Sequence, residues 1–180
     1  MKALIIIDVQ NFYFVGDSSL EGNLDAVQNT AAVLDHFRKN GLPVIYVQHV
    51  LDVSHLPKEQ HSIIDIHERI RPMDGEVVVQ KHTPGSFNKT QLKAELDALG
   101  VTELVICGMM SHMCVDTTTR EAFDLGYAVT VIHDACATRA LEFNGITVPA
   151  QYVHATSMAA LAYGFAKLMS TQEYIGNSVG

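Results

Sequence analysis

Short apolar segments recur along the chain, and they constrain its fold more than any other feature. Each is six or seven residues long, rich in Val or Ile, and nearly continuous in hydrophobicity. A continuous apolar run of this length is typical of a parallel strand that is covered on both faces of its sheet. We therefore predict buried parallel strands at Lys2–Asp8, Pro43–His49, Glu76–Lys81, Glu103–Gly108 and Ala128–His133.

Helical patterns separate these strands. The first of them carries apolar residues on one face and is followed by Asn40-Gly41, a common helix stop signal. Helices are predicted at Leu24–Lys39, at Lys89–Leu99, at Thr117–Leu125, and from Pro149 to about Met169. Strands that alternate with helices indicate a doubly wound α/β fold with a mainly parallel sheet. The 180 residues fit a single domain.

Net charge and cysteine content indicate which partners and which cellular compartment suit the protein. The formal net charge is −8, which argues against nucleic acid and anionic membranes as partners. The apolar start Met1–Ile7 is cut by a carboxylate and is too short for a secretory signal or a membrane span. Three cysteines cannot all pair, so the sequence predicts a reducing, cytoplasmic environment.

The segment Leu51–Gly75 is one long irregular connection, which predicts a lid or a binding loop. Four histidines, His49, His55, His61 and His67, lie in or beside it. Their spacing is not that of a zinc or iron site, so the sequence predicts neither a metal nor another cofactor. A contact between one of these histidines and a substrate remains open.

Three reactive side chains fall where strands end. Asp8 closes the first strand, Lys81 closes the third, and Cys114 follows the fourth after a short turn. Ligands of open α/β sheets bind beyond the carboxyl ends of the strands, so a carboxylate, an ammonium and a thiol would meet there. The start of the following helix would lower the pKa of the thiol, and Asp8 could accept its proton.

Taken singly, each of these residues has an ordinary structural explanation. Asp8 could cap a loop, Lys81 could be solvated, and Cys114 could be a small buried apolar residue. Cys107 and Cys136 are interpreted in that way, as core residues. Only the coincidence of three reactive side chains at three strand ends favours a catalytic site.

The motifs at these positions resemble those of the isochorismatase-like cysteine hydrolases. The matching segments are Asp8-Val9-Gln10-Asn11 after the first strand, Lys81 after Val77–Val79, the run Gly108–Thr118 that contains the cysteine, and Asp134–Thr138. The segments occur in the family's order and spacing, and the resemblance extends over nearly the whole chain. The resemblance implies a Rossmann-like, three-layer α/β/α fold with a six-stranded sheet and a homo-oligomer, either dimer or tetramer.

The resemblance also implies a catalytic triad of Asp8, Lys81 and Cys114. It implies a cis peptide bond between Met109 and Met110, and an oxyanion hole formed by the backbone N–H groups of Met110 and Cys114. Family members with a cysteine at this position mostly hydrolyse small amides, carbamoyl or ureido compounds. Members of the nicotinamidase type bind a metal through an Asp-x-His pair after the second strand, and Val47–His55 lacks that spacing.

We therefore predict a cysteine hydrolase that cleaves a C–N bond of a small amide through a thioester on Cys114. Two alternatives remain, an isochorismatase that cleaves a vinyl ether and a catalytically silent binding module. Gln10, Phe14 and His112 are candidates for the substrate pocket, and the aromatic residues after Asp8 could equally belong to the core.

Overall fold

The computed structural model describes residues 1–176 and contains one large sheet and one hairpin. The strands are β1 (Lys2–Ile7), β2 (Val44–His49), β3 (Val77–Lys81), β4 (Glu103–Met109), β5 (Ala128–Ala137), β6 (Leu141–Phe143), β7 (Ile146–Val148) and β8 (Lys167–Met169). Six of them form a parallel sheet in the order β3-β2-β1-β4-β5-β8. The strands β6 and β7 form a separate antiparallel hairpin.

Helices cover both faces of the sheet. They are α1 (Asn23–Lys39), α2 (Leu92–Ala98), α3 (Asp116–Asp124), α4 (Ala150–Gly164) and α5 (Thr171–Gly176). One apolar cluster packs α1 and α5 against one face, and a second packs α2, α3 and α4 against the other. The predicted three-layer, doubly wound α/β fold with six strands is thereby confirmed.

The central strand β1 shows why its sequence is continuously apolar. Leu4 and Ile6 belong to the cluster under α1, whereas Ile5 and Ile7 belong to the cluster on the opposite face. All four are buried. Because both faces are covered, an alternating pattern would place polar groups in the core.

The predicted last helix is wrong only beyond Gly164. Helix α4 ends at Gly164, where the Leu161 carbonyl accepts N–H groups of Phe165 and Ala166 at 2.9 and 3.0 Å. The chain then extends as β8 and pairs with residues 130–132 of β5. Short apolar runs do not distinguish a helix from a buried strand, so only the free edge of β5 decides the outcome.

Two further differences have local causes. Helix α2 begins at Leu92 rather than Lys89, because Lys89 has a φ of 55° and the Thr90 hydroxyl accepts the Leu92 N–H at 3.2 Å. The β6–β7 hairpin turns at Asn144-Gly145, where both residues have positive φ. Asn-Gly is the strongest short hairpin signal, and it was present in the sequence.

The connection after β2 is less irregular than expected. It contains 3₁₀ turns at Lys58–Ile64 and Glu68–Ile70.

None of the helices in residues 1–176 combines the length and apolar content needed to cross a bilayer.

Candidate active site

Strand ends bring the three predicted residues together. Asp8 directly follows β1 and adopts a left-handed φ of 51°, an uncommon conformation outside glycine that often marks functional sites. Lys81 is the last residue of β3. Cys114 lies in a single π-helical turn, Ser111–Val115, between β4 and α3. The peptide bond between Met109 and Met110, at the start of this turn, is cis.

The ammonium of Lys81 lies between the other two groups. Its Nζ is 2.7 Å from Asp8 Oδ2 and 3.2 Å from Cys114 Sγ. Asp8 and Lys81 are 0% and 1% exposed, and Cys114 is 6% exposed. The three side chains therefore form one buried cluster in which a proton could pass between thiol and carboxylate beside a fixed positive charge.

Burial dominates the electrostatics of this cluster. It raises the pKa of the Asp8 carboxyl, and the Lys81 charge opposes that rise. Burial, followed by the neighbouring Asp8 charge, raises the pKa of Cys114 to about 12, with Lys81 again opposing. The expectation that a helix start would lower the pKa of this thiol is wrong. Cys114 precedes α3 and is shielded from water, so the resting side chain is a neutral thiol with a base beside it.

His49 is a further member of the cluster. It is the last residue of β2, which lies between β1 and β3 in the sheet, and it is paired in register with Lys81. Its Nδ1 is 3.1 Å from Lys81 Nζ. Burial, Lys81 and His82 all lower the pKa of the His49 imidazole. Only strand order, which the sequence did not supply, singles out His49 from its neighbouring histidines.

Asp8, His49 and Cys114 offer oxygen, nitrogen and sulfur atoms that all lie within 4.8 Å of one another. By chemical type this set could bind a transition metal. The Lys81 ammonium, however, lies within 3.2 Å of all three side chains. Because a cation already occupies the centre of the set, we assign no metal to these residues.

The side chain of Gln10 is hydrogen-bonded to the backbone and is not free to contact a substrate. Its amide nitrogen donates to the carbonyls of His49 and Ile64 at 3.0 and 2.6 Å, and its oxygen accepts the His49 N–H at 2.8 Å. The side chain is fully buried. Both amide N–H groups are occupied, so Gln10 fastens the long connection to the end of β2 and has no donor left for a substrate.

Phe14 and His112 lie in two different surface cavities. Phe14 packs on His67, with ring centroids 4.2 Å apart, and lines a cavity of about 750 Å³ whose lining does not include the triad. His112 lines an open, largely apolar cavity of about 510 Å³ together with the β6–β7 hairpin and α4. Its Nδ1 lies 2.6 Å from the hydroxyl of Thr138, which directly follows β5. Of the two, only His112 is close to the nucleophile along the chain.

The turn that carries Cys114 is also anchored to α4. The hydroxyl of Ser111 lies 2.8 Å from Nδ1 of His154. The Met110 carbonyl accepts N–H groups of Met113 and Val115 at 3.0 and 3.3 Å. These contacts fix the backbone around the nucleophile, which a pre-formed oxyanion site requires.

Arg139 was not singled out from the sequence, and Tyr13 was considered only as one of the aromatic residues after Asp8. Burial, together with the charges of Cys114 and Asp8, raises the pKa of the Tyr13 phenol, and Arg139 opposes this effect. Arg139 also acts on His112, whose pKa burial lowers. Among residues 1–176, no ion pair involves Arg139, and its Nε is buried without a hydrogen-bond partner. Its Nη2 donates to the Ser18 carbonyl at 2.8 Å, so among the described residues the guanidinium has a backbone partner but no carboxylate partner.

Comparison with known proteins gives consistent matches over almost the full length. Residues 2–173 match the Isochorismatase domain family. The isochorismatase family protein YddQ of Bacillus subtilis is 44% identical over 176 residues, covering 96% of this chain and 98% of YddQ. Nicotinamidase 3 of Arabidopsis thaliana is 31% identical and covers 94% of this chain and 84% of its own length. The crystal structure of an isochorismatase hydrolase from Oleispira antarctica has a TM-score of 0.90 at 44% identity, covering 97% of this chain and 96% of that one.

Proposed function

The chain belongs to the isochorismatase family of hydrolases, and from this premise we propose that it is a cysteine amidohydrolase that cleaves a C–N bond of a small amide. The observation that carries the proposal is the position of Lys81 Nζ, 2.7 Å from Asp8 Oδ2 and 3.2 Å from Cys114 Sγ. A thiol, a base and a fixed cation within one buried cluster are what thioester chemistry requires.

In the proposed mechanism Asp8 takes the thiol proton as Cys114 Sγ attacks the amide carbonyl. The backbone N–H groups of Met110 and Cys114 stabilise the negative oxygen of the tetrahedral intermediate. Asp8 then returns the proton to the departing amine, and the C–N bond breaks to leave a thioester. A water molecule gives a proton to Asp8 and attacks the thioester, and the acid product leaves as Cys114 recovers its proton. The steps use only protein groups and water.

The raised pKa of Asp8 supports its role in both directions of proton transfer. A buried carboxylate is a stronger base than one in water, so it can compete for a thiol proton. Lys81 stabilises the thiolate that forms when the proton leaves. Because the pair exchanges one proton while Lys81 keeps its charge, the net charge of the buried cluster stays constant during activation.

The cysteine favours an amide over a vinyl ether as the bond that is cleaved. Acyl transfer to a thiolate needs a carbonyl carbon, which amides, carbamoyl and ureido compounds have. The similarity to Nicotinamidase 3, an amidase by name, supports the same class. Arg139 extends the proposal, because a guanidinium without an ion-pair partner suits a substrate that carries a carboxylate.

The proposal is tested with a panel of small amides, carbamoyl amino acids and ureido acids, with ammonia release as the measurement. The unmodified protein should release ammonia from at least one of them, and Cys114→Ser should reduce the rate roughly a thousandfold. Cys136→Ser is the matched control, because that cysteine is buried away from Asp8 and Lys81 and should leave the rate unchanged. Turnover of isochorismate that survives in Cys114→Ser would replace the amidase proposal by the isochorismatase alternative.

A catalytically silent protein would give a different pattern. Its Cys114 would alkylate no faster than free cysteine once accessibility is matched, and Asp8→Asn would not change the dependence of that rate on pH. An active site instead predicts that Asp8→Asn alters this dependence, because the base for the thiol is lost.

We also propose a homo-oligomer, dimer or tetramer. Apolar side chains of the hairpin and α4 are exposed, with Phe143 at 76%, Ile146 at 66% and Tyr163 at 95%. Large apolar side chains with this much exposure are typical of a surface that is covered by a partner. Light scattering coupled to gel filtration should give at least twice the chain mass of 19.7 kDa, and a mass equal to it would reject the proposal.

A further inference from the structure

The two ring nitrogens of His49 have different surroundings. Its Nδ1 lies 3.1 Å from Lys81 Nζ. An ammonium can only donate, so Nδ1 accepts this hydrogen bond and the neutral ring carries its proton on Nε2. Burial and the charges of Lys81 and His82 lower the pKa of His49, which maintains the neutral ring. The contact with Lys81 therefore fixes Nε2–H as a hydrogen-bond donor.

This donor has no partner in the part of the chain that the structure describes. Among residues 1–176, the contact with Lys81 is the only hydrogen bond that the His49 ring makes. The side-chain atoms that are buried without a partner in the same range do not include His49 Nε2. The nitrogen is thus neither paired nor enclosed in the core, and the side chain as a whole is half-buried. An unpaired donor beside reactive groups can bind an incoming molecule.

His49 also lies within reach of a molecule attached to Cys114. One ring nitrogen of His49, one carboxylate oxygen of Asp8 and Cys114 Sγ all lie within 4.8 Å of one another. Bonds between carbon atoms are about 1.5 Å long, so a group a few bonds from a carbon held at Sγ can contact the imidazole.

Strand order determines which part of a substrate His49 would meet. The proposed oxyanion donors, the N–H groups of Met110 and Cys114, follow β4 on one side of β1. His49 ends β2 on the other side of β1. A carbonyl oxygen held by the oxyanion donors would point toward β4, so the substituents of the carbonyl carbon would extend toward Asp8 and β2. His49 is thus placed to meet an acceptor atom other than the oxygen of the scissile carbonyl.

We propose that His49 Nε2–H binds the substrate and selects amides with a second, uncharged acceptor, such as a carbonyl oxygen, an ether oxygen or a ring nitrogen, a few bonds from the scissile carbonyl. The proposal rests on the proposed function, because it requires a substrate at Cys114. It singles out His49 among the histidines of the long connection as the one that contacts a substrate. An amide without the second acceptor would leave Nε2–H unpaired once the substrate excludes water, which weakens its binding.

Reversible aldehyde adducts of Cys114 test this role without turnover. The thiol adds across the aldehyde C=O bond: an S–C bond forms, the π bond opens, and the thiol proton moves to the aldehyde oxygen to give a thiohemiacetal. Within each of two probe pairs, an ether oxygen replaces one CH₂ group. The pairs are methoxyacetaldehyde with butanal, and 3-methoxypropanal with pentanal.

The measurement is the dissociation constant of each adduct, from ¹³C NMR of aldehydes labelled at the carbonyl carbon. The ratio of the two constants within a pair cancels any change in the pKa of Cys114 between variants. Division by the same ratio for N-acetylcysteine in solution removes the intrinsic difference in reactivity between the two aldehydes. The normalised ratio therefore reports contacts to the ether oxygen.

Two substitutions of His49 separate the donor from the rest of the ring. His49→Gln can place an amide N–H where Nε2–H was. His49→Asn can place an acceptor where Nδ1 was, toward Lys81, but has no donor at the position of Nε2. Neither changes the backbone of residue 49, to which Gln10 is hydrogen-bonded. His55→Leu is the matched control, because His55 is exposed in the connection that follows β2.

In the unmodified protein, at least one ether probe should bind roughly fivefold more tightly than its hydrocarbon partner after normalisation. His49→Gln and His55→Leu should retain this preference, and His49→Asn should lose it. Absence of the preference in the unmodified protein would overturn the proposal. A preference that persists in His49→Asn, or one that is lost in His49→Gln, would do the same.

The same data distinguish failure of this proposal from failure of the proposed function. Adducts that form without a preference for the ether would reject only the role of His49. If N-acetylcysteine forms adducts and Cys114 forms none, the reactive thiol of the proposed function is rejected, and the role of His49 with it. The ¹⁵N shifts of the His49 ring give a second readout without a probe, because a proton on Nδ1 would contradict a donor at Nε2.

Discussion

Replacing Lys81 by Met should destabilise the protein strongly, and by an amount that depends on pH. The substitution removes the ammonium that lies 2.7 Å from Asp8 Oδ2 and leaves a carboxylate that is 0% exposed without its counter-charge. Breaking a buried ion pair in this way costs about 3–5 kcal/mol. For a chain of this length that corresponds to a decrease in melting temperature of roughly 10 °C.

The sign of the pH dependence follows from Asp8. Burial already raises its pKa in the folded protein, and removal of Lys81 takes away the main effect that opposes the rise. A group whose pKa is higher in the folded state than in the unfolded state binds a proton on folding. It contributes stability at low pH, and that stability is lost as the pH rises through the folded pKa. Lys81→Met should therefore lose less stability at acidic than at neutral pH.

Urea denaturation of the variant and the unmodified protein at about pH 5 and pH 8 provides the test. The difference in unfolding free energy should be larger at pH 8. The double variant Asp8→Asn with Lys81→Met should recover part of the loss, because no unpaired charge remains. Equal stability losses at both pH values, or no recovery in the double variant, would show that the charges of Asp8 and Lys81 do not stabilise each other.

Four further substitutions test the scaffold around the site and the recognition of a substrate. Gly108→Ala should lower the free energy of unfolding by at least ~2 kcal/mol, because Gly108 has a φ of 134° and a Cβ there would overlap the Ile7 carbonyl. Gly145 also has a positive φ but has open space around it, so Gly145→Ala should lower the same quantity by only about 1 kcal/mol in the urea measurement. A cost for Gly108→Ala no greater than that for Gly145→Ala would refute the steric explanation. Gln10→Leu should speed amide hydrogen exchange in residues 50–70 more than in α1, since three hydrogen bonds to His49 and Ile64 are lost, and uniform exchange would contradict this. Arg139→Lys should raise the KM for an anionic amide about tenfold and leave the KM for a neutral amide unchanged, because Lys lacks the planar guanidinium that binds a carboxylate through two N–H groups. Equal effects on both substrates would show that Arg139 does not recognise the carboxylate of a substrate.

The sequence by itself determined the layered architecture and the meeting of three reactive side chains. Buried parallel strands have a continuous apolar composition, so β1 to β5 could be located without knowledge of their order. Asp8 and Lys81 interrupt that composition where their strands end, and all strand ends of a parallel sheet share one edge. Cys114 follows from the same reasoning, because the turn after β4 is short. Each of these features depends on residues that are close together in the sequence, so short sequence patterns are enough to predict them.

Other features depended on what lies next to each element in space. The segment Lys167–Met169 became a strand because β5 offers it a free edge, although its composition also suits a helix. Gln10 resembles a substrate ligand in sequence, but its amide is occupied by the backbone of the long connection. The pKa of Cys114 rises because the surrounding side chains exclude water, and the neighbouring Asp8 charge adds to the rise.

His49 shows the difference most clearly. In the sequence it is one of several histidines near the second strand, and nothing distinguishes it. The sheet places β2 between β1 and β3, so the end of β2 has to lie between the residues that close its two neighbours. The chemistry of a side chain can be read from its type, whereas its partners are set by strand order, which is a non-local property of the folded chain.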